Sequence, residues 1–204
     1  YVGSELVKYL RFKYPKYKLY GLDIGLFSNF TTTNNPSPDI LLDFQYYCDV
    51  RKVNHKILKN IDVIVHLAAV SNDPIGKKFA KVTNDINFEA SKKLFNLASR
   101  TNVKKFVFAS SCSIYGSYSE KPKKENDILN PLTAYAKSKV NFENYLQKNK
   151  SDISSISMRF ATACGMSDRL RLDLVLNDFV TSAFINKHIN ILSDGTPWRP
   201  LIDV

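Results

Sequence analysis

Residues 105–116 read KFVFASSCSIYG, an apolar run that ends in small hydroxyl residues, a tyrosine and a glycine. The short apolar part, bounded by serines and a glycine, predicts a β-strand. Similar strand-like runs alternate with amphipathic helical stretches along the chain, which predicts an α/β fold with a doubly wound, mostly parallel sheet. In such sheets ligands bind beyond the carboxyl ends of the strands. Ser110, Ser111 and Ser113 are therefore candidate ligand contacts.

A tyrosine and a lysine one helical turn apart follow this strand. Tyr135 and Lys139 lie in a stretch that we predict to be helical from about residue 131 to residue 148, and their spacing of four places both side chains on one face. A cation beside a phenol stabilises the phenolate, so the two residues form a workable acid–base device. The spacing alone also occurs in ordinary helices, and the strand-end serine upstream is what makes it informative.

Two other strand-like segments end in residues suited to a dinucleotide. Asp23 follows Gly3 by twenty positions, about the spacing at which a carboxylate binds the ribose hydroxyls of NAD in preference to NADP. A helix-start glycine and a turn aspartate are the alternative interpretation. The apolar run at residues 62–69 predicts a parallel strand covered on both faces, and its small ending, Ala68 and Ala69, lets the backbone approach a flat ligand.

Three further segments are predicted from their residue patterns. Residues 85–100 are helical by their apolar spacing, residues 153–160 form a strand, and residues 189–192 form another strand before a tight turn. We interpret His66 as a packed strand histidine, because no second histidine or carboxylate stands at ligand spacing from it. No metal site is predicted.

The chain resembles the extended short-chain dehydrogenase/reductase family, which includes NAD-dependent nucleotide-sugar epimerases and dehydratases. The strand-end serine, followed by Tyr135 and Lys139, carries the resemblance together with the Ser-Ser-x-Ser-x-Tyr-Gly run. The resemblance implies a Rossmann-type sheet truncated at both ends. An NAD-binding domain would occupy residues 1–165, and residues 166–204 would begin a substrate-binding region.

The resemblance also implies what would precede the chain. In the family, Gly3 would be the last glycine of a Gly-x-x-Gly-x-x-Gly loop that follows the first strand of the sheet. The chain would then be a fragment that lacks this strand. We therefore expect the strands at residues 19–22 and 62–67 to lack a neighbour.

Roles for individual residues follow from the same resemblance. Ser111, Tyr135 and Lys139 are the implied catalytic residues. The residues assigned to NAD are Gly3, Asp23, Asp49, Val50, Leu67, Ala68, Ala69, Asn87, Ser110, Tyr135, Lys139 and Phe160. The residues assigned to the substrate are Ser111, Ser113, Thr162 and Arg199. The arginine suits a diphosphate, because a guanidinium pairs with two phosphate oxygens.

The implied function is NAD-dependent epimerisation of a nucleotide-diphosphate sugar by transient oxidation and re-reduction. Related 4,6-dehydratases place Asp and Glu directly after the strand-end hydroxyl, where this chain has Cys112 and Ser113. Epimerase or simple dehydrogenase/reductase is therefore favoured over dehydratase. A different class of alternative is a non-catalytic relative that senses dinucleotides or binds nucleic acid.

Composition favours a globular protein with an anionic small-molecule partner. The 204 residues carry a net charge of +10, but the lysines are scattered and lack interleaved aromatic residues, so we predict a solvated basic surface and no nucleic-acid partner. No apolar run of about 18 residues and no secretory signal are present, so we predict no membrane partner and a cytoplasmic location. The three widely spaced cysteines indicate reduced thiols. The family resemblance implies a homodimer.

Overall fold

The structure is a computed structural model that describes residues 1–71, 78–116, 121–195, 198 and 200–204. It divides into two compact units. We call residues 1–48 with 161–204 the split unit, and Asp49–Phe160 the central unit. No described helix is long and apolar enough to span a membrane.

In chain order, the strands are β1 (Tyr20–Asp23), β2 (Phe44–Tyr47), β3 (Val63–His66), β4 (Lys105–Ser111), β5 (Ser154–Phe160), β6 (Thr162–Cys164) and β7 (Leu201–Asp203). The α-helices are α1 (Val2–Lys13), α2 (His55–Leu58), α3 (Ala80–Asn84), α4 (Ala90–Ala98), α5 (Ala134–Lys148) and α6 (Val175–Asn186). Short 3-10 turns cover Pro38–Leu41, Val50–Lys52 and Cys112–Tyr115.

All observed strand pairs are parallel. In the central unit the order is β3-β4-β5, with Val63 opposite Lys105 and Ser111 opposite Phe160. In the split unit β1 pairs with β2 and β6 pairs with β7. Parallel strands that alternate with helices confirm the predicted α/β class. The boundary predicted after residue 165 stays a prediction.

The core of the central unit is aromatic. Alternate residues of β4 are buried on one face, which places Phe106 and Phe108 under the helices. Phe142 of α5 packs edge-on against Phe108 at 4.6 Å between centroids, and Phe95 of α4 packs against Phe106 at 5.3 Å. Full burial of each ring contributes about 1.5–3 kcal/mol, so these contacts fix α5 on β4.

The predicted helix at residues 85–100 is interrupted in a way that the apolar spacing did not indicate. Its first part, Asp85–Glu89, is a turn of π-helix that lies between α3 and α4. Such turns change which residues point inward and occur often at functional sites. Here Asn87, in the middle of the turn, is buried.

Two expectations about strands have different outcomes. Among the described strands β1 pairs only with β2 and β3 only with β4, as expected for strands that lack a second neighbour. The prediction of a strand at residues 189–192 is wrong, since this segment has no regular structure and Leu192 is 99% exposed. A strand needs a partner for its backbone, and Leu201–Asp203 is the segment that finds one, on β6.

Candidate active site

The end of β4 is held in one conformation by its own hydroxyl groups. Ser111 Oγ accepts hydrogen bonds from Ser113 N at 3.2 Å and Ser113 Oγ at 2.9 Å. The turn ends at Gly116, which has a positive φ of 88°. A Cβ added at this position would lie 2.4 Å from the backbone oxygen of Asn130. Because both bonds to Ser111 Oγ are accepted ones, its hydroxyl proton can be donated to a ligand.

Helix α5 begins at the same sheet edge. Thr133 Oγ1 caps it by accepting a hydrogen bond from Ala136 N at 3.1 Å. Tyr135 and Lys139 follow one turn apart, and Lys139 Nζ lies 5.4 Å from the centroid of the tyrosine ring. The Lys139 ammonium also donates to Ala109 O at 2.6 Å, two residues before Ser111. The structure therefore brings the predicted Tyr-Lys pair to the carboxyl end of β4.

Lys139 is an unusual lysine because its side chain is inside the protein. It is 3% exposed, and burial lowers its pKa to about 7, against an upward effect of Glu143. The ring of Phe108 lies 4.7 Å from Nζ and provides a cation–π contact. A lysine with this pKa changes its charge near neutral pH, so small changes around it alter the charge next to Tyr135.

His66 is packed in the core, as predicted. Its Nε2 lies 2.7 Å from Ser91 Oγ, and its ring contacts Phe106 and Phe108. Burial, with a smaller contribution from the charge of Lys139, lowers its pKa to about 3. The imidazole is therefore neutral at physiological pH.

The loop after β3 is held by an amide rather than by hydroxyls. Asn87 Oδ1 accepts from Val70 N at 2.8 Å, and Asn87 Nδ2 donates to Val70 O at 3.0 Å. Asn87 is 1% exposed, so both ends of its amide serve the backbone of the loop. Ala68 is exposed and Ala69 half-buried beside it. The loop thus offers small residues and fixed backbone to a flat ligand.

Other residues assigned to NAD lie at nearby positions in the central unit. In the described part of the chain no group hydrogen-bonds Ser110 Oγ, although this atom is buried. Phe160 ends β5 opposite Ser111, and Leu67 directly follows β3. A buried hydroxyl with no protein partner fits a site that receives a polar ligand. The residues around the end of β4 therefore suit NAD chemically.

Asp49 and Val50, also assigned to NAD, lie at the start of a 3-10 turn. The Asp49 carboxylate binds Arg51 through Nε at 3.0 Å and also caps the turn that starts at Val50. The Arg51 guanidinium and backbone amide hold the pKa of Asp49 below its usual range. Val50 is buried. The Asp49 carboxylate is therefore charged and binds Arg51 in this structure.

Three assigned residues belong to the split unit, and one lies outside the described residues. Gly3 is inside α1, and Thr162 begins β6. Asp23 ends β1, where its Oδ1 accepts from Gly25 N at 2.7 Å. Arg199 lies outside the described residues.

Sequence reasoning missed a buried ion pair next to Lys139. Arg159 Nη2 donates to Glu143 Oε2 at 2.7 Å, and Arg159 Nε lies 3.2 Å from each carboxylate oxygen. Glu143 is one turn after Lys139 on the same face of α5. A carboxylate on the inner face of a helix was the signal in the sequence that could have found it.

Comparisons with known proteins agree with the resemblance. The sequence model of the NAD dependent epimerase/dehydratase family matches residues 1–204. The uncharacterized UDP-glucose epimerase YtcB of Bacillus subtilis is 30% identical over 70% of this chain and 45% of its own length. The fold class and the NAD cofactor expected from the sequence are therefore confirmed.

Solved structures give the same fold. A UDP-N-acetylglucosamine 4-epimerase from Methanobrevibacter ruminantium M1, in complex with UDP-N-acetylmuramic acid, is 28% identical with a TM-score of 0.84, over 100% of this chain and 66% of that chain. The NAD dependent NDP-hexosamine 5,6-dehydratase TunA is 22% identical with a TM-score of 0.85, over 100% of this chain and 64% of its own. The chain thus spans less than two-thirds of the length of these proteins.

Proposed function

Since the chain belongs to the NAD dependent epimerase/dehydratase family, we propose that the protein epimerises a nucleotide-diphosphate sugar by transient oxidation and re-reduction. The observation that carries this proposal is the position of Lys139. Its ammonium lies between the Tyr135 ring and the carbonyl of Ala109, two residues before Ser111. This arrangement supports proton transfer at a sugar hydroxyl.

Each of the three residues has a chemical task in this proposal. The phenolate oxygen of Tyr135 takes the proton from the sugar hydroxyl, and the charge of Lys139 favours the phenolate. The Ser111 hydroxyl, which accepts two bonds from Ser113, donates to the same sugar oxygen. On the return step Tyr135 gives its proton back to that oxygen. NAD, when bound, supplies the hydride acceptor and donor.

Residues of the central unit would hold the cofactor. Ser110 Oγ, which has no hydrogen-bond partner among the described residues, supports this role, as do Lys139 and the fixed backbone at Ala68 and Ala69. Asn87 would act indirectly, by holding that backbone through Val70. The assignments of Gly3, Asp23, Thr162 and Arg199, and the homodimer, stay predictions from the resemblance.

The turn after β4 favours epimerisation over dehydration. Elimination of water needs an acid and a base of its own, whereas the residues after Ser111 are Cys112 and Ser113. Relatives named as UDP-sugar epimerases, including YtcB, support a UDP-sugar as the substrate. Epimerisation at C4 is the outcome that the name of the Methanobrevibacter enzyme supports.

A product assay tests the proposal. The purified protein is incubated with UDP-, GDP- and dTDP-sugars, and products are identified by NMR while reduced nicotinamide is followed by absorbance. Conversion to an epimer without net reduced nicotinamide is the expected result. Formation of reduced nicotinamide in a stoichiometric amount would identify a dehydrogenase, and a product that has lost water would identify a dehydratase. If no sugar is converted, the catalytic proposal is rejected.

Tyr135→Phe provides the matched variant for this assay. We expect turnover to fall about 10²–10⁴-fold, because the proton acceptor is lost, while NAD affinity is retained. Tyr145→Phe is the control in the same helix, since the Tyr145 hydroxyl bonds Asn96 instead of the site. Unchanged turnover in Tyr135→Phe would refute the assignment.

A further inference from the structure

Glu143 and Arg159 form an ion pair inside the central unit. The Glu143 side chain is 4% exposed and that of Arg159 17% exposed. The guanidinium faces the carboxylate with two of its nitrogens, which is the strong, geometrically specific form of this contact. Burial of two charges is costly, and such a pair is often no better for stability than apolar residues. Its position relative to Lys139 suggests another use.

Glu143 continues the row of residues that begins with Tyr135. Tyr135, Lys139 and Glu143 follow each other at intervals of one turn along one face of α5, where Tyr135 is half-buried and the other two are buried. The carboxylate accepts hydrogen bonds from the Arg159 guanidinium. Its negative charge nevertheless lies one turn from the Lys139 ammonium on the buried face of α5, where it opposes the lowering of the Lys139 pKa by burial.

Arg159 connects this helix to the strand-end turn. It lies on β5 opposite Ser110, and its Nη1 donates to Tyr115 Oη at 2.7 Å and to Glu125 O at 2.8 Å. Tyr115 ends the turn that Ser111 caps. One guanidinium thus binds the catalytic helix, the turn after β4 and the segment that leads toward α5.

We propose that Glu143 and Arg159 are positioning residues of the reaction: Glu143 supplies the buried negative charge that supports the Lys139 ammonium, and Arg159 fixes α5 against the turn that carries Ser111. The inference rests on the proposed function, because it assigns a role in that same site. Neither residue is proposed to touch the substrate.

The surroundings of Lys139 leave Glu143 as its source of negative charge. Among the described residues, the polar and charged groups that face α5 from the elements packed against it are His66 of β3, Ser110 of β4, Arg159 of β5, Thr83, Asn87, Ser91 and Asn96 of the segment from α3 to α4, and Tyr115 of the turn after β4. None of these is a carboxylate, and His66 is neutral because its pKa is lowered to about 3. In the described part of the chain Glu143 is the group whose charge raises the Lys139 pKa.

Removal of the Glu143 charge should shift the pH profile of activity toward lower pH. Without the Glu143 charge, the Lys139 pKa falls further below about 7. Lys139 then loses its proton at a lower pH, and Tyr135 loses the cation that favours its phenolate. The alkaline limb of kcat/KM should therefore move to lower pH.

The test compares Glu143→Gln with the double variant Glu143→Gln, Arg159→Gln. We expect the alkaline limb to move down by about one pH unit in Glu143→Gln, with activity at pH 7 reduced about fivefold, and by a smaller amount in the double variant, which loses the Arg159 cation together with the carboxylate. Glu143→Gln should also lower the melting temperature, because it leaves the partly buried Arg159 guanidinium without its carboxylate. The double variant should recover melting temperature, while its pH limb should stay below that of the wild type. Glu125→Gln removes a nearby exposed carboxylate and should change neither.

A purely structural role predicts the opposite pattern. Activity would then recover together with melting temperature in the double variant, and the pH limb would stay in place throughout. That result would overturn the inference.

A second measurement separates this inference from the proposed function. The titration of Lys139 is followed by NMR in protein labelled at the lysine side-chain carbons, with its signal assigned by its absence in Lys139→Met. The midpoint should be lower in Glu143→Gln than in the wild type, whether or not any sugar is converted. An unchanged midpoint would overturn the inference even in an active epimerase, whereas an inactive wild type with a shifted midpoint would reject only the proposed function.

Discussion

The two neighbouring strands β3 and β4 end at the same sheet edge but are followed by different chemistry. After β4 come hydroxyls, and a buried ammonium from α5 bonds the strand itself at Ala109 O. After β3 come small apolar residues whose backbone is held by one buried amide, that of Asn87. One strand end thus presents reactive side chains, and the other presents fixed backbone.

The two strand ends are suited to different roles in the candidate site. A proton-transfer group needs a tuned charge, and Lys139 has one because burial lowers its pKa to about 7. A surface for a flat ligand needs no charge, but its backbone must be rigid and its side chains small. Ala68 and Ala69 provide the small side chains, and Asn87 holds the backbone that follows them. If this division of roles is correct, changes to the proton-transfer residues at the β4 end should affect mainly turnover, and changes at the β3 end should affect mainly cofactor affinity.

The largest expected effect comes from removal of the ammonium at the β4 end. Lys139→Met should reduce turnover by about 10²–10⁴-fold, because Tyr135 loses the charge that favours its phenolate. Steady-state kinetics measures this, with the exposed Lys137→Met in the same helix as the control. Turnover within tenfold of the wild type would break the comparison.

Lys139→Met should also change the way in which folding stability depends on pH. The Lys139 pKa is lowered from 10.5 to about 7 in the folded protein, so the unfolded chain binds more protons between those values. Wild-type stability should consequently gain from Lys139 as pH rises from about 7 toward 10, and this gain should be absent in Lys139→Met. Denaturant unfolding at several pH values measures the difference.

An intermediate effect is expected at the β3 end. Asn87→Ala removes both hydrogen bonds to Val70 and should cost about 2–4 kcal/mol of folding free energy, since it leaves backbone groups unsatisfied. NAD affinity should fall more than kcat, which calorimetric titration and kinetics can resolve. Asn54→Ala removes the cap of α2 instead and serves as control. NAD affinity equal to that of the wild type would contradict the positioning role of Asn87.

The smallest effect should come from Ser113→Ala. The variant removes one of two hydrogen bonds to Ser111 Oγ and leaves the bond from the Ser113 backbone in place. We expect a loss in kcat of less than about tenfold, which corresponds to roughly 1 kcal/mol. Ser113→Thr, which keeps the hydroxyl, should be near wild type. A loss of several orders of magnitude would instead mean that Ser113 contacts the reacting atoms.

Local patterns in the sequence were sufficient for much of the fold. The run at residues 105–116 predicted β4 and its serine-bearing end, and the strands at β3 and β5 were located within a few residues. These predictions succeed because side-chain alternation and turn residues are local properties. Residues 189–192 show the limit, because strand-like composition does not provide a pairing partner.

The candidate site divides in the same way. The order of residues was enough to predict that Tyr135 and Lys139 share a helix face after a serine-bearing strand, because helical spacing is fixed by backbone geometry. Three features became visible only in the folded protein: Lys139 is buried, Asn87 of the π-helical turn holds the loop at Val70, and Glu143 pairs with Arg159. The reason is physical: burial and pairing depend on which distant segments pack together, and the low dielectric of that packing sets the charge of a lysine.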